Sequence, residues 1–257
     1  MQSFENFELI SVDDASVDNT GNILREYASR DKRIIILTNR PALGLAGSIN
    51  KGIGRAKGKY IARIDAGDRA EPDRFQQQVE FMEKFNDISI LGSCAYLINS
   101  NKEIIGEWKV ARQVDVRLLY KKGGVIHPTV IIRKELFDKI GRYEPSYGRA
   151  EDYELWARAL KNRLKISNHQ EFLTSVMLRE GGISAKYYKT MAKDTFRVKL
   201  KYLPYFFNFI NLIYTLRSLI GYLLPAWLFW LLVFLGFLLL NYSEQRHTCD
   251  YRSYARA

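Results

Sequence analysis

The chain has 257 residues, 47% of them hydrophobic, enough to bury one substantial core with a small region to spare. Its 39 Lys and Arg against 28 Asp and Glu leave a formal net charge of +11, which points to an anionic partner. Zinc-like ligand spacing and the stacking motifs of RNA-binding modules are missing, which argues against nucleic acid as that partner.

The N-terminus, Gln2-Ser3-Phe4-Glu5-Asn6, lacks the basic region and apolar core of a signal peptide, so none is expected. Phe7-Glu8-Leu9-Ile10-Ser11-Val12 reads as a strand that Asp13-Asp14 ends. A helical pattern through Ile23, Leu24 and Tyr27 follows, with Asp18 placed to cap it. The β-branched run Arg33–Leu37 predicts a second strand. Gly44–Ala56 predicts a helix, since Leu45, Ile49 and Ile53 recur four residues apart. Tyr60–Ile64 is the third strand.

Strand, helix, strand, helix, strand is the pattern of a parallel sheet with crossover helices. It places Asp13-Asp14 and Asp65…Asp68 along one sheet edge, where ligands of open α/β sheets bind. Carboxylates there suit a metal ion and a phosphate, since Mg²⁺ typically takes one or two carboxylates plus substrate phosphates. A plain Asp-Gly turn after a strand is the other reading of Asp65–Asp68.

Past Asp68, Pro72 suits a first helical turn, and Phe75, Val79 and Met82 would point inward from that helix. Ile88–Leu97 predicts a strand with Cys94 as a small buried hydrophobe, and Glu103–Trp108 a hairpin partner. Cys249 lies far from Cys94 with no pairing pattern, so a reducing compartment is expected. Val114–Tyr120 reads as helical. Gly123-Gly124 hinge a loop through His127-Pro128-Thr129 into a β-branched strand ending at Arg133. Lys134–Ile140 is a short helix closed by Gly141. A polar loop, Arg142–Arg149, leads to Glu151-Asp152-Tyr153-Glu154-Leu155-Trp156, whose acids also complement the dipole of the helix that starts there.

Lys186, Lys189, Lys193, Arg197, Lys199, Lys201 and Arg217 cluster before the most apolar part of the chain, which favours a membrane surface. Leu219–Leu240 is uncharged and long enough to span a hydrocarbon core of about 30 Å, or to re-enter if Pro225 bends it. A buried core helix is the plainer reading. The expected division is a catalytic unit over 1–185, a basic amphipathic segment over 186–218, a transmembrane or re-entrant helix over 219–240, and a polar tail over 241–257. By the positive-inside rule the basic cluster, and with it the catalytic unit, faces the cytoplasm.

The run from Phe7 to Thr20 resembles the nucleotide-binding segment of family 2 glycosyltransferases, the inverting type with a GT-A fold. The similarity continues through Asn39…Gly44-Leu45-Ala46…Asn50-Lys51-Gly52 and Tyr60–Asp68, and resumes at His127-Pro128-Thr129 and at Glu151–Arg158. It covers roughly residues 2 to 185, and the order of the blocks is specific to the family. It implies an α/β fold with a Rossmann-like, mostly parallel sheet flanked by helices, followed by a membrane-associated helical segment.

The resemblance also implies roles. Asp13 and Asp14 would contact the nucleoside, and Asp65, with Asp68, the metal (Mg²⁺ or Mn²⁺) and the diphosphate of a nucleotide-sugar donor. Asp152 would be the general base toward a lipid-linked or growing glycan acceptor, with Glu151 supporting it. His127 and Trp156 would line the acceptor side. Family members usually begin one strand earlier, and their metal motif reads Asp-x-Asp where this chain has Gly67. A different class of reading follows from those departures: a non-catalytic, membrane-tethered remnant that binds nucleotide-sugar weakly or scaffolds partners. A sugar-phosphate nucleotidyltransferase would share the sheet but needs a glycine-rich, basic phosphate loop that this chain lacks.

Overall fold

The computed structural model describes residues 2–178 and 187–223. β1 (Leu9–Asp13) and β2 (Ile34–Thr38) pair in parallel, Leu9 opposite Ile34 and Asp13 opposite Thr38, with α1 (Thr20–Arg30) as the crossover. α2 (Gly44–Arg55) follows and packs on β1, burying Ala46, Ser48 and Ile53. β3 (Tyr60–Ala62) then turns through β4 (Arg69–Ala70) into α3 (Arg74–Lys84).

β5 (Ile88–Ile98), β6 (Ile104–Trp108), β7 (Gln113–Val114) and α4 (Val116–Lys122) come next. A 3₁₀ turn at His127–Thr129 leads into β8 (Ile131–Arg133) and α5 (Glu135–Ile140). After a second 3₁₀ segment, Pro145–Ala150, come α6 (Glu151–Lys161), β9 (Lys165–Met177), α7 (Tyr188–Tyr202) and α8 (Phe209–Leu223).

The architecture is the expected α/β one, but the larger sheet, ordered β3-β8-β5-β9-β4, is mixed and not mostly parallel, because strands joined without a crossover helix, as β5 and β6 are, pair antiparallel. β5 and β9 run parallel at its centre; β8, β4, β6 and β7 pair antiparallel with their neighbours. A second expectation is corrected. β3 does not extend the β1–β2 sheet; it is an edge of the larger sheet, bonded to β8 with Ile61 opposite Ile132. The crossover pattern predicts that a helix joins two parallel strands, but it cannot tell which strands exchange hydrogen bonds. The two units meet instead through α2 and through the Lys57 backbone N–H, which donates to Glu8 Oε1 at 2.6 Å.

β9, the longest strand, gave no signal in the sequence. Its stretch Lys-Ile-Ser-Asn-His-Gln-Glu-Phe-Leu-Thr-Ser-Val-Met buries Ser167, Asn168, Thr174 and Ser175, so apolar alternation is lost. Its register against β5 also slips around Cys94, which shifts the faces mid-strand. Asn168 is satisfied by donating to the carbonyls of Ala111 (2.7 Å) and Gly124 (2.9 Å).

The main core gathers Ile90, Leu119, Val130, Ile132, Leu136, Leu155, Trp156 and Ile166, joined by Val198 and Tyr202 of α7. Residues 186–218, read as a basic amphipathic segment, therefore supply a helix that is packed into this core along one side. α8 passes through Arg217 and Ser218 without a break. Among the described residues no helix is long and apolar enough to cross a membrane, and 224–240 of the expected span lie outside them.

α3 braces the site from behind. Gln78, fully buried, accepts from Arg74 Nε (3.1 Å) and donates to the Thr129 carbonyl (2.8 Å). Replacing Gln78 with Ala strands both groups, and an unsatisfied buried partner costs about 1–3 kcal/mol. Urea denaturation of Gln78→Ala is expected to show a loss of that size with an unchanged m-value.

Candidate active site

Arg63 and Asp65 follow β3 directly. The Arg63 backbone N–H donates to the Val130 carbonyl (3.0 Å), which holds the end of β3 against the loop bearing His127. Arg63 Nη2 donates to Asp65 Oδ1, and the Asp65 side chain stays about half exposed. Gly67 adopts φ 102°, a conformation that favours glycine, and lets the Asp68 N–H close a turn onto the Asp65 carbonyl at 3.1 Å. Asp65 and Asp68 thus face different ways.

Asp68 is turned inward. Its Oδ1 accepts from the Met177 N–H of β9 at 2.8 Å, while Oδ2 is buried without a partner. Burial pushes its pKa up to about 6, against the lowering effect of the Met177 bond. Asp68 ties the turn to β9, and Asp65 is the carboxylate open to solvent.

His127, Glu151 and Asp152 converge from two elements: His127 from the 3₁₀ turn before β8, the acids from the first turn of α6. One ligand-capable atom from each lies within 4.8 Å of the others. His127 Nε2 is bonded to Tyr143 Oη at 2.9 Å, and Nδ1 lies 3.7 Å from Asp152 Oδ2. Burial, then the Arg63 charge, holds the His127 pKa well below its usual value. The other ring nitrogen, Nδ1, is the one on the Asp152 side.

Asp152 Oδ1 accepts from the Tyr153 N–H at 2.6 Å, yet burial raises its pKa. Burial and the adjacent Asp152 charge push Glu151 up to about 7, and its Oε2 has no partner. Arg63 acts electrostatically on His127, Tyr143, Glu151 and Asp152 at once, which joins the β3 end to the α6 acids as one site. Trp156 lies beneath His127, edge-on with ring centroids 5.8 Å apart, and is 1% exposed. It supports the imidazole from behind and does not itself face the open side.

Asp13 and Asp14 end β1 as expected, but their carboxylates are engaged locally. Asp13 accepts from the Ser16 N–H (3.0 Å). Asp14 accepts from the N–H groups of Leu43 (2.7 Å) and Gly44 (2.9 Å) and from Asn39 Nδ2 (2.8 Å). Burial works against its ionisation, but these hydrogen bonds outweigh it and lower the pKa. Asp14 thereby fixes the start of α2. Arg63 and Tyr143 were missed by sequence reasoning. Arg63 sits in the strand run before Asp65, where an inward-facing cation among apolar residues was the available signal. Tyr143, in a polar loop, gave none.

The residues fit a divalent cation, which prefers oxygen ligands. Asp65 offers an accessible carboxylate, and the orphaned Asp68 Oδ2 and Glu151 Oε2 are donors lacking a partner. The His127, Glu151 and Asp152 group adds an imidazole, a donor better suited to a transition ion than to Mg²⁺.

The mixed sheet flanked by helices is an α/β fold similar to that of GT-A glycosyltransferases. A mannosyltransferase from Pyrobaculum calidifontis, solved with GDP-Man and Mn²⁺, shares that fold at a TM-score of 0.61 and 13% identity, covering 94% of this chain and 74% of its own. The family model for glycosyl transferase family 2 matches residues 1–141, and the chain belongs to that family. It is 34% identical over 180 residues to an uncharacterised glycosyltransferase of Methanocaldococcus jannaschii, covering 67% of this chain. It spans 60% of that relative's length. It is 30% identical to an Escherichia coli UDP-Glc:alpha-D-GlcNAc-diphosphoundecaprenol beta-1,3-glucosyltransferase, covering 75% of this chain and 74% of the relative.

The acid pair predicts a pH dependence. Glu151 has a folded pKa near 7 against an ordinary 4.5, so between those values the folded state holds a proton the unfolded chain has lost. Its contribution is greatest below about pH 4.5 and is lost as pH rises toward 7. Urea midpoints of metal-free protein are expected to fall from pH 5 to pH 8, and Glu151→Gln to flatten that fall.

Proposed function

We propose that this chain is a glycosyltransferase that moves a sugar from a nucleotide-diphosphate donor to a lipid-linked or growing glycan acceptor, with inversion at the anomeric carbon. The single observation that carries the reading is Asp152. It is a carboxylate of raised pKa at the start of α6, beside neutral His127 and in the field of Arg63, within the family fold.

A hydroxyl is a poor nucleophile until its proton leaves, and a carboxylate of raised pKa is a better acceptor for that proton. Asp152 takes the acceptor proton, with Glu151 beside it in a supporting role. His127 orients Asp152 and borders the acceptor side, with Trp156 behind the ring. One displacement with one base inverts the anomeric centre. Asp65, with Asp68 behind it, would hold Mg²⁺ or Mn²⁺, which when bound would neutralise charge on the leaving diphosphate. Arg63 adds a fixed cation on the same side. Asp13 and Asp14 are assigned to the nucleoside end.

The relative in E. coli acts on a diphosphoundecaprenol-linked sugar, and the basic C-terminal region here supports a similar lipid-linked acceptor. The protein is assigned to the membrane with its catalytic unit on the cytoplasmic side. A second reading, a non-catalytic chain that binds nucleotide-sugar weakly, is favoured by the local engagement of Asp13 and Asp14.

Asp152→Asn is expected to bind donor as tightly as the parent in calorimetry with Mn²⁺ while transfer falls by about 10²–10⁴-fold. Unchanged transfer removes Asp152 as the base. Absence of donor binding in the parent chain favours the second reading.

A further inference from the structure

We infer that the outward face of α8 is a docking surface for an anionic lipid bilayer, on which the helix lies flat. The inference deepens the membrane-associated reading, on which it rests, by assigning the surface that makes the contact.

α8 is amphipathic in the inverted sense. At 100° per residue Phe209, Ile213, Leu216, Ile220 and Leu223 fall within one narrow stripe, and all five are exposed, Phe209 by 73% and Leu223 by 63%. The side turned to the protein carries Asn211 at 0%, Thr215 at 1% and Gly221. These polar groups are served internally. Asn211 Nδ2 donates to the Phe206 carbonyl (2.8 Å) and Thr215 Oγ1 to the Asn211 carbonyl (2.8 Å). The buried amine of Lys199 donates to the Tyr214 carbonyl (3.2 Å) and Ser218 Oγ (2.9 Å). A helix of a water-soluble domain turns its apolar stripe to the core. Here the inward face is fixed by specific bonds, so the stripe stays outside.

Charge selects the occupant. Residues 187–223 carry six Lys and Arg and one acid, Asp194, which is buried. Arg217 borders the stripe on the exposed side, and Tyr205 and Phe207 lie exposed ahead of the helix. Cations and aromatics flanking an apolar stripe are what an anionic interface binds. An amphipathic helix with an apolar stripe on one side and polar groups on the other lies in the plane of the interface rather than across the core. From Leu223 the sequence continues without a charged residue to Leu240.

Docking there also orients the acid pair. α7, which holds α8, accepts the Arg149 N–H at Asp194 Oδ2 (3.1 Å) and donates from Arg197 to the Ser146 carbonyl (3.1 Å). Lys201 and Tyr202 donate to buried Glu154 at 3.1 and 2.7 Å, two residues beyond Asp152. A helix on the bilayer thus sets the height of the site above lipid.

The test uses the full chain with Cys249→Ser and a fluorophore at Ile213→Cys or Ile220→Cys, and at Glu26→Cys on α1 as a distant reference. Phosphatidylglycerol vesicles carrying nitroxide lipid are expected to quench the first two labels and leave the third unchanged. Joint replacement of Ile213, Leu216 and Ile220 by Glu is expected to weaken vesicle binding by about tenfold or more. Vesicle binding without quenching at 213 and 220 overturns the proposal, whether another part of the chain or a bound protein covers the stripe. Failure to bind vesicles overturns it too. Donor binding, followed by calorimetry on the same variants, is expected to stay constant; its absence in the parent chain counts against the transferase reading and leaves the lipid result standing.

Discussion

The site rests on a buried guanidinium. Arg74 of α3 has no exposed surface, and its Nη2 donates to the carbonyls of Arg63 (2.7 Å) and Val130 (3.3 Å). Those carbonyls lie just past β3, beside Asp65, and at the junction of the His127 turn with β8. A charge so placed is costly, and burial, with Arg63 nearby, lowers the Arg74 pKa to about 9. Asp68 offsets part of the cost through its opposite charge. Burial likewise raises Asp68, against the Met177 hydrogen bond and, more weakly, the Arg63 and Arg74 charges. Without Arg74 the ends of β3 and the His127 turn would lose their shared donor, and the site would come apart at its base.

A second constraint comes from the C-terminal side. Gly148 has φ 55°, and a Cβ there would meet the Asp194 carboxylate. The chain before Glu151 therefore bends where only glycine lets α7 approach closely enough to reach Arg149. Glu154, 1% exposed, is held by Arg158 at 2.7 Å, Lys201 and Tyr202. A buried carboxylate with this many donors pins α6 to α7. The start of α6, which carries the acids, is fixed on one side by β8 through His127 and on the other by α7.

Much of this was legible in the sequence, for reasons that can be separated. Strong periodicity located β1, β2, α2, α3, β5 and α6 to within a few residues, and the acids at strand ends and at the start of α6 fell where expected. β9 stayed hidden because its buried side chains are polar and its register slips. The partnership of β3 was misread because hydrogen bonding between strands far apart in sequence leaves no local trace. α7 and α8 read as a basic, apolar stretch; that α7 packs into the core depends on Val198 and Tyr202 meeting residues more than thirty positions away. At the site, the acids were readable by type, whereas Arg63 and Tyr143 matter through contacts that only the fold creates.

α2 shows how residue type can mislead about role. Asp14 closes its start, Lys51 donates to the Thr38 carbonyl (2.6 Å), and Asn50 exchanges two hydrogen bonds with the Tyr143 backbone at 2.7 and 3.0 Å. The helix is thereby a beam from the β1–β2 sheet to the tyrosine that holds His127. Asn39, fully buried, bonds Asp14, Ser48 and Lys51 in one network. Polar residues that look suited to a ligand are here satisfied by one another. A donor that used Asp14 would have to share its carboxylate with the α2 amides, whereas Asp65 is half exposed. Asp14 thus fixes the beam that positions Tyr143 and, through it, His127, while the Asp65 carboxylate stays accessible at the end of β3.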